Sequence, residues 1–343
     1  MNEHWEYTEK MLDKVSRTFA LNIRILGKKL RKPVLLAYLY MRIADTIEDD
    51  ADLSAEEKAT LLSKFSKALN LGGEAIDEFK NALPENWKNS EKDDVALSCN
   101  AHIVIPLLSE QPEFVRNAIK KAVAKMCEGM TYFAKLQETK KGGWFYIESE
   151  SDLDKYCYYV AGLVGNMITE LFCASGRFFS EKKQEKLKEL AVSFGLALQL
   201  VNIIKDIQDD SMRKVCFVPM EFCRRHGVSS AQELFSPQTP QENKNAIIGE
   251  LLAKATQHLR DAKEYIKTLP RVNHRRRLFC LLPSLMAADN LHIIGNGSII
   301  FEQGRRAKIS RKSVASIVRS SILLGWSNKW VEYKFTKLAQ CRI

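Results

Sequence analysis

The chain has 343 residues, 45% of them hydrophobic and 27% charged, enough to bury one large domain or two ordinary ones. Its 52 Lys and Arg exceed 42 Asp and Glu, for a net charge of +10, which suits a basic surface or attraction to anionic phosphate or lipid. Nucleic acid is excluded as the expected partner: no binding motif is present, and no aromatics are interleaved with the basic runs at Arg224-Arg225, Arg275-Arg276-Arg277 and Arg305 to Lys312.

Helical periodicity predicts helices over about 4–24, 31–49 and 55–69. Gly72-Gly73 and Pro84 break the stretch from Leu71 to Asp94 into a loop with short helical pieces. Helices resume over about 94–108 and 112–138, Gly142-Gly143 interrupts, and further helices follow over 151–177, 181–210, 241–267 and 272–295. Ser229-Ser230, Pro237 and Pro240 mark a loop over 227–241. No strand alternation, repeat or composition shift recurs, so the expectation is an all-α fold in a single domain over 1–343, with 314–343 at its periphery. Met1 to Lys10 is polar, so no signal peptide is expected, and no run of about 18 apolar residues predicts a membrane-spanning helix. The eight cysteines show no CxxC pair and no His-Cys metal spacing, which points to a reducing cytoplasm.

Two helices carry polar stripes that an apolar helix ordinarily lacks. In the first, Tyr38, Arg42, Asp45 and Asp49 fall on one face, with Glu48 beside them. In the second, Gln199, Asn202, Asp206 and Asp210 recur at steps of three and four among Leu196, Leu198, Leu200, Val201, Ile203, Ile204 and Ile207. Burying an unpartnered carboxylate costs several kcal/mol, roughly. Each stripe is therefore either a solvated helix end or a holder for a cation. Carboxylates at i, i+3 and i+4 suit Mg²⁺, which takes a few protein carboxylates and completes its shell with water and substrate phosphate. Two such groups facing one cavity would stabilise a departing diphosphate. A third feature, Tyr156 to Gly165, joins tyrosines to small residues. Its tyrosines are either core or offer π-faces and hydroxyls to a cation, and its small residues permit close helix approach.

Ser16-Arg17-Thr18-Phe19, the Asp45 to Asp49 motif, Tyr156 to Gly165 and Gln199 to Asp210 occur in an order that resembles the squalene and phytoene synthases, over about residues 10–320. Tyr156 to Gly165 and Leu278-Phe279-Cys280-Leu281-Leu282-Pro283 resemble the squalene branch. The resemblance implies an isoprenoid synthase fold, a helical bundle around an apolar cavity. It implies Mg²⁺ held by Asp45, Glu48, Asp49, Asp206 and Asp210 around farnesyl diphosphate, with those aspartates and Tyr156 as the catalytic set. Ser16, Arg17 and Arg42 would contact diphosphate, and Tyr156 would take a proton from the first cation or shield it. Phe19, Tyr38, Val160, Val164, Leu198 and Phe279 would line the tunnel, with Gln199 and Asn202 orienting the acidic helix. The implied reaction makes presqualene diphosphate and then squalene with NADPH. Phytoene, dehydrosqualene and presqualene diphosphate synthases are the alternatives, and a non-catalytic assembly factor is the rival from another class.

The family arginine five residues beyond the last aspartate is replaced by Val215, so Arg213 or Lys214 would supply that charge. Lys308 and Arg311 are further candidates for contact with the cofactor phosphates, or belong to a solvated or lipid-facing surface. Residues 314–335 mix Ile322, Leu323, Trp326 and Trp330 with Arg319, Lys329 and Lys334. They either lie on a membrane surface or pack on the core. The expected setting is a cytoplasmic monomer in peripheral contact with the anionic inner face of a membrane.

Overall fold

The computed structural model describes residues 2–138, 143–176, 178–295, 298–301 and 307–338. Helices carry nearly all the regular structure, and the one strand pair among the described residues is two residues long, so the fold is all-α. The contacts group the chain into two compact units: Met1–Glu138 with Met167–Arg177, and Thr139–Asn166 with Phe178–Ile343. One boundary runs through the middle of a continuous helix, so no change of composition marks it.

The first unit contains α1 (Asn2–Val15), α2 (Arg17–Ile25), α3 (Lys28–Asp49), α4 (Ala55–Leu71), α5 (Glu74–Ala82), α6 (Asp93–Cys99), α7 (Ala101–Val104) and α8 (Glu113–Glu138). The predicted helix over 4–24 is broken at Ser16. Its backbone turns extended, and its hydroxyl accepts the Phe19 amide at 3.1 Å. A hydroxyl that satisfies an orphan amide starts a new helix there. The α3 helix buries Leu35, Leu36, Leu39, Tyr40, Ile43 and Ile47, and the Tyr40 hydroxyl donates to the Val104 carbonyl at 2.8 Å. Its core face therefore fixes which way the Tyr38–Asp45 stripe turns. Ser54 and Glu57 form a capping box at the start of α4, which lies along α8.

The second unit contains β1 (Phe145–Tyr146), α9 (Glu150–Cys157), a π turn (Tyr158–Gly162), the first residues of α10 (Leu163–Ala174), α11 (Glu181–Met212), β2 (Val215–Cys216), α12 (Met220–Arg225), α13 (Ala231–Leu234), α14 (Gln241–Thr268), α15 (His274–Ile294), α16 (Arg311–Leu324) and α17 (Asn328–Leu338). The central pair is α11 with α14, where the Phe194 and Tyr265 rings stack at 4.9 Å. The π turn and the start of α10 press directly on α11. A Cβ at Gly165 would stand 2.0 Å from the Ala191 carbonyl oxygen, and one at Gly195 would stand 2.3 Å from that of Ala161. Only glycine permits such backbone contact, so the small residues of this segment serve close approach as the sequence suggests.

The expectation that no helix is long and apolar enough to cross a bilayer needs correction. By length and composition three are: Glu150–Ala174, Glu181–Met212 and His274–Ile294. Each contains an 18-residue window of high mean hydropathy with no more than two charged residues, so scattered polar and charged positions interrupt the apolar run without making the stretch polar. Half or more of each window, between 50% and 72%, is buried inside the protein. No disulfide joins the described cysteines.

Candidate active site

The residues picked from sequence fall into two groups, one in each unit. In the first unit, α2 and α3 bring together Phe19, Tyr38, Arg42 and Asp45. The Phe19 and Tyr38 rings stack at 5.3 Å, and the Tyr38 hydroxyl donates to the Val15 carbonyl at 3.4 Å. Arg42 donates to the Tyr38 hydroxyl at 3.5 Å and approaches Asp45 at 4.0 Å. The buried Nε of Arg42 has no hydrogen-bond partner. A buried guanidinium N–H left unmatched fits an anionic oxygen brought by a ligand. Burial pushes the Asp45 carboxyl up to about 6; Arg42 opposes the rise and Asp49 adds to it. Glu48 is half-buried and Asp49 exposed. Ser16 acts first as the cap of α2. Arg17 lies in α2, and its side chain falls outside the described ones.

In the second unit, α11 carries Leu198 and Gln199 half-buried and Asn202 exposed. Here the acids have close basic partners. Lys205 meets Asp206 at 3.0 Å and donates to the Asn202 side-chain oxygen at 3.4 Å. Arg213 donates to Asp210 at 2.6 Å, and Asp210 is buried. Arg213, expected from sequence at a cofactor phosphate, thus engages a predicted metal ligand, because it sits one helical turn beyond it. Lys214 has a positive φ of 57°, and Val215 pairs with Phe145 in the two-stranded ladder. Lys308 and Arg311 stand exposed around the start of α16.

Tyr156 is buried in α9 and stacks on Phe217 at 4.6 Å. Val160 and Val164 are half-buried along the π turn and α10, and Phe279 is buried in α15. Two contributors escaped sequence reasoning. Lys205 carried a readable signal, since a cation beside Asp206 in so apolar a helix needs a reason. Phe217 carried none, because its meeting with Tyr156 spans sixty residues of chain, roughly.

Among the described residues no three His, Cys, Asp or Glu side chains are gathered closely enough to hold a metal alone. One helix turn presents two or three carboxylates that repel one another, so it relies on ligand oxygens to finish a shell. The donor chemistry nonetheless fits Mg²⁺: hard carboxylate oxygens, with basic side chains beside them suited to phosphate.

The family model for squalene/phytoene synthase matches residues 12–313. The chain belongs to the squalene/phytoene synthase family. It is 30% identical over 315 residues to squalene synthase of Schizosaccharomyces pombe, covering 92% of this chain and 64% of that protein. It is 30% identical over 304 residues to squalene synthase 1 of Arabidopsis thaliana, covering 87% and 67%. The chain thus spans just under two thirds of the length of the first of these relatives. The structure of TcSQS with ligand BPH1237 matches with a TM-score of 0.80 at 25% identity, over 99% of this chain and 92% of that one. Family members of this kind share the all-α fold described above.

Proposed function

We propose that this chain condenses two molecules of farnesyl diphosphate head to head, with Mg²⁺ as cofactor, and converts the product to squalene with NADPH. One observation carries the reading. Within the matched residues, Asp45, Asp206 and Asp210 each stand on a largely apolar helix beside a basic side chain, Arg42, Lys205 and Arg213 respectively. That pairing of hard-oxygen donors with phosphate-binding cations suits a diphosphate and its counter-ion.

Asp45, Glu48, Asp49, Asp206 and Asp210 would hold Mg²⁺. Bound there, Mg²⁺ supplies charge that stabilises the leaving diphosphate. Arg42, with its unmatched Nε, would take a phosphate oxygen, and Lys205 and Arg213, which now meet Asp206 and Asp210, would be free for phosphate if those acids held the metal. Ser16 and Arg17 add donors at the same diphosphate. Gln199 and Asn202 orient the acids of α11. In the first half-reaction one substrate loses diphosphate, the double bond of the second attacks the cation, and loss of a proton closes a cyclopropane. Tyr156, buried against Phe217, would either shield that cation with its ring or assist removal of the proton, which passes to the released diphosphate. In the second half-reaction the remaining diphosphate would leave, and NADPH would supply the hydride that quenches the rearranged C30 cation. Phe19, Tyr38, Val160, Val164, Leu198 and Phe279 keep water from the cations, which would otherwise become alcohols. Lys214, Lys308 and Arg311 remain the candidates for the nucleotide phosphates. The product is an insoluble hydrocarbon, which favours work at the surface of a membrane; a monomer on its cytoplasmic side completes the proposed reading.

Product analysis of the purified chain tests this. Farnesyl diphosphate and Mg²⁺ are expected to give squalene only when NADPH is added. Dehydrosqualene or presqualene diphosphate regardless of NADPH removes the reductive step, and product from the C20 substrate alone replaces the reading with phytoene synthesis.

A further inference from the structure

Among the described residues, twelve large apolar side chains stand exposed, and six of them collect at one end of the second unit: Phe178, Val272, Ile322, Leu323, Leu324 and Trp326. Hydrogen bonds show that they are neighbours. The buried Arg277 guanidinium donates to the carbonyls of Leu269 and Gly325 at 2.8 and 3.1 Å, and so ties the 269–273 loop to the turn after α16. The His274 ring meets the Ile322 carbonyl at 2.9 Å. Phe178 and Val272 face a groove of about 700 Å³ shared with Lys182, Lys183, Lys186 and Arg271.

Two features set this end apart from an ordinary surface. Phe178 is 67% exposed at a φ of 81°, a conformation that costs a non-glycine residue about 1 kcal/mol or more. Leu323 and Val272 are each 70% exposed, which no core requires. The charge is also one-sided. From Ala307 to Val331 there are five cations, Lys308, Arg311, Lys312, Arg319 and Lys329, and no acid. The nearby start of α11 adds Lys182 and Lys183 against Glu181 and Glu185, with Lys186 paired to Glu189 at 3.1 Å, and Arg271 and Arg275 stand exposed in and beside the 269–273 loop. Apolar side chains ringed by cations fit a surface that is greasy within and negative at its rim.

We propose that this end of the second unit docks on an anionic lipid bilayer, with Leu323, Trp326, Phe178 and Val272 entering the headgroup layer and Lys182, Lys183, Arg271 and Arg319 meeting lipid phosphates. The inference deepens the membrane-surface placement proposed above and rests on it for its purpose. The sequence left open whether 314–335 faces lipid or core; α16 and α17 do both. Ile317, Val331 and Phe335 are buried, while the turn between the two helices points its apolar residues outward. Arg277 holds that turn from beneath, through Gly325 and through the Asn328 side chain at 2.8 Å. The wedge is thus shaped before it meets lipid.

The test is cosedimentation of the full chain, without substrate, with vesicles of phosphatidylcholine alone or mixed with phosphatidylglycerol. Binding to the anionic vesicles is expected to be at least about tenfold tighter and to weaken with salt. Lys182→Glu/Lys183→Glu/Arg271→Glu and, separately, Leu323→Glu/Trp326→Glu are each expected to lose about tenfold or more, while farnesyl diphosphate turnover in detergent stays at the wild-type rate. A blue shift of Trp326 fluorescence on anionic vesicles, absent in Trp326→Phe, supports insertion. Equal binding by wild type and both variants, equal binding to neutral vesicles, or a dimer that Leu323→Glu dissolves overturns the proposal. A chain that binds vesicles but makes no product overturns the reaction assigned above and leaves the docking surface standing.

Discussion

The acid stripe of α3 and the acid stripe of α11 look alike in sequence and differ in how their charge is met. On α3, Arg42 stands 4.0 Å from Asp45, and burial raises that carboxyl to about 6. On α11, Lys205 and Arg213 reach Asp206 and Asp210 at 3.0 and 2.6 Å. The α3 guanidinium keeps an N–H in reserve, whereas the α11 cations are engaged. On the reading proposed above, these motifs would divide the work: α3 would accept a charged ligand as it stands, and α11 would have to exchange partners to do so.

Substitution at the two stripes gives the largest expected effects. Asp45→Asn and Asp206→Asn should each lower turnover by about a thousandfold, with helical circular dichroism unchanged. If both serve one reaction, the double variant is no slower than the worse single one; strict multiplication of the two losses would separate the stripes into independent roles. Full activity in either single variant would remove the metal assignment at that stripe. Tyr156→Phe should slow formation of presqualene diphosphate by about a hundredfold in single-turnover measurements. A near-normal rate would return Tyr156 to a packing role against Phe217.

Smaller effects concern the supports of α11 and α3. Gly165→Ala should cost about 3 kcal/mol in urea unfolding, because its Cβ meets the Ala191 carbonyl. Gly249→Ala, with nothing within 4 Å of the added atom, should stabilise α14 by about 0.5–1 kcal/mol. The mildest test concerns pH. A carboxyl whose folded pKa is raised binds protons more tightly in the folded chain than in the unfolded one. With EDTA present, Asp45 should therefore make the melting temperature fall as pH rises from about 4 through about 6, relative to Asp45→Asn. Excess Mg²⁺ should flatten that difference. Identical profiles for the two proteins would remove the raised Asp45 carboxyl.

Much of this was legible in the chain. The helices, the two stripes and the close-approach segment are local patterns, and periodicity reports local patterns well. The break at Ser16 was missed because the apolar spacing continues across it, and only the cap chemistry shows the stop. The β1–β2 ladder is too short to alternate. The partners of the acids were harder to foresee. Arg213 is a turn away from Asp210 and Lys205 is beside Asp206, yet a sequence does not say whether a cation bonds its neighbour or reaches outward. Arg277 illustrates the limit: it reads as the last of three surface arginines, and it lies fully buried on carbonyls brought from α14 and the α16–α17 turn.

The contact of Gly165 with Ala191, and of Gly195 with Ala161, has a consequence for how this enzyme family can be recombined. Main chain rests on main chain there, with no side chain between to absorb a mismatch. A one-residue insertion in either segment would rotate every later position by about 100°, more than a quarter of a circle, and jam two peptide planes together. The stretch bearing Tyr156 and the helix bearing Asp206 are thus locked in phase. A chimera that borrows one from a distant homologue should express as aggregate unless it borrows the other as well.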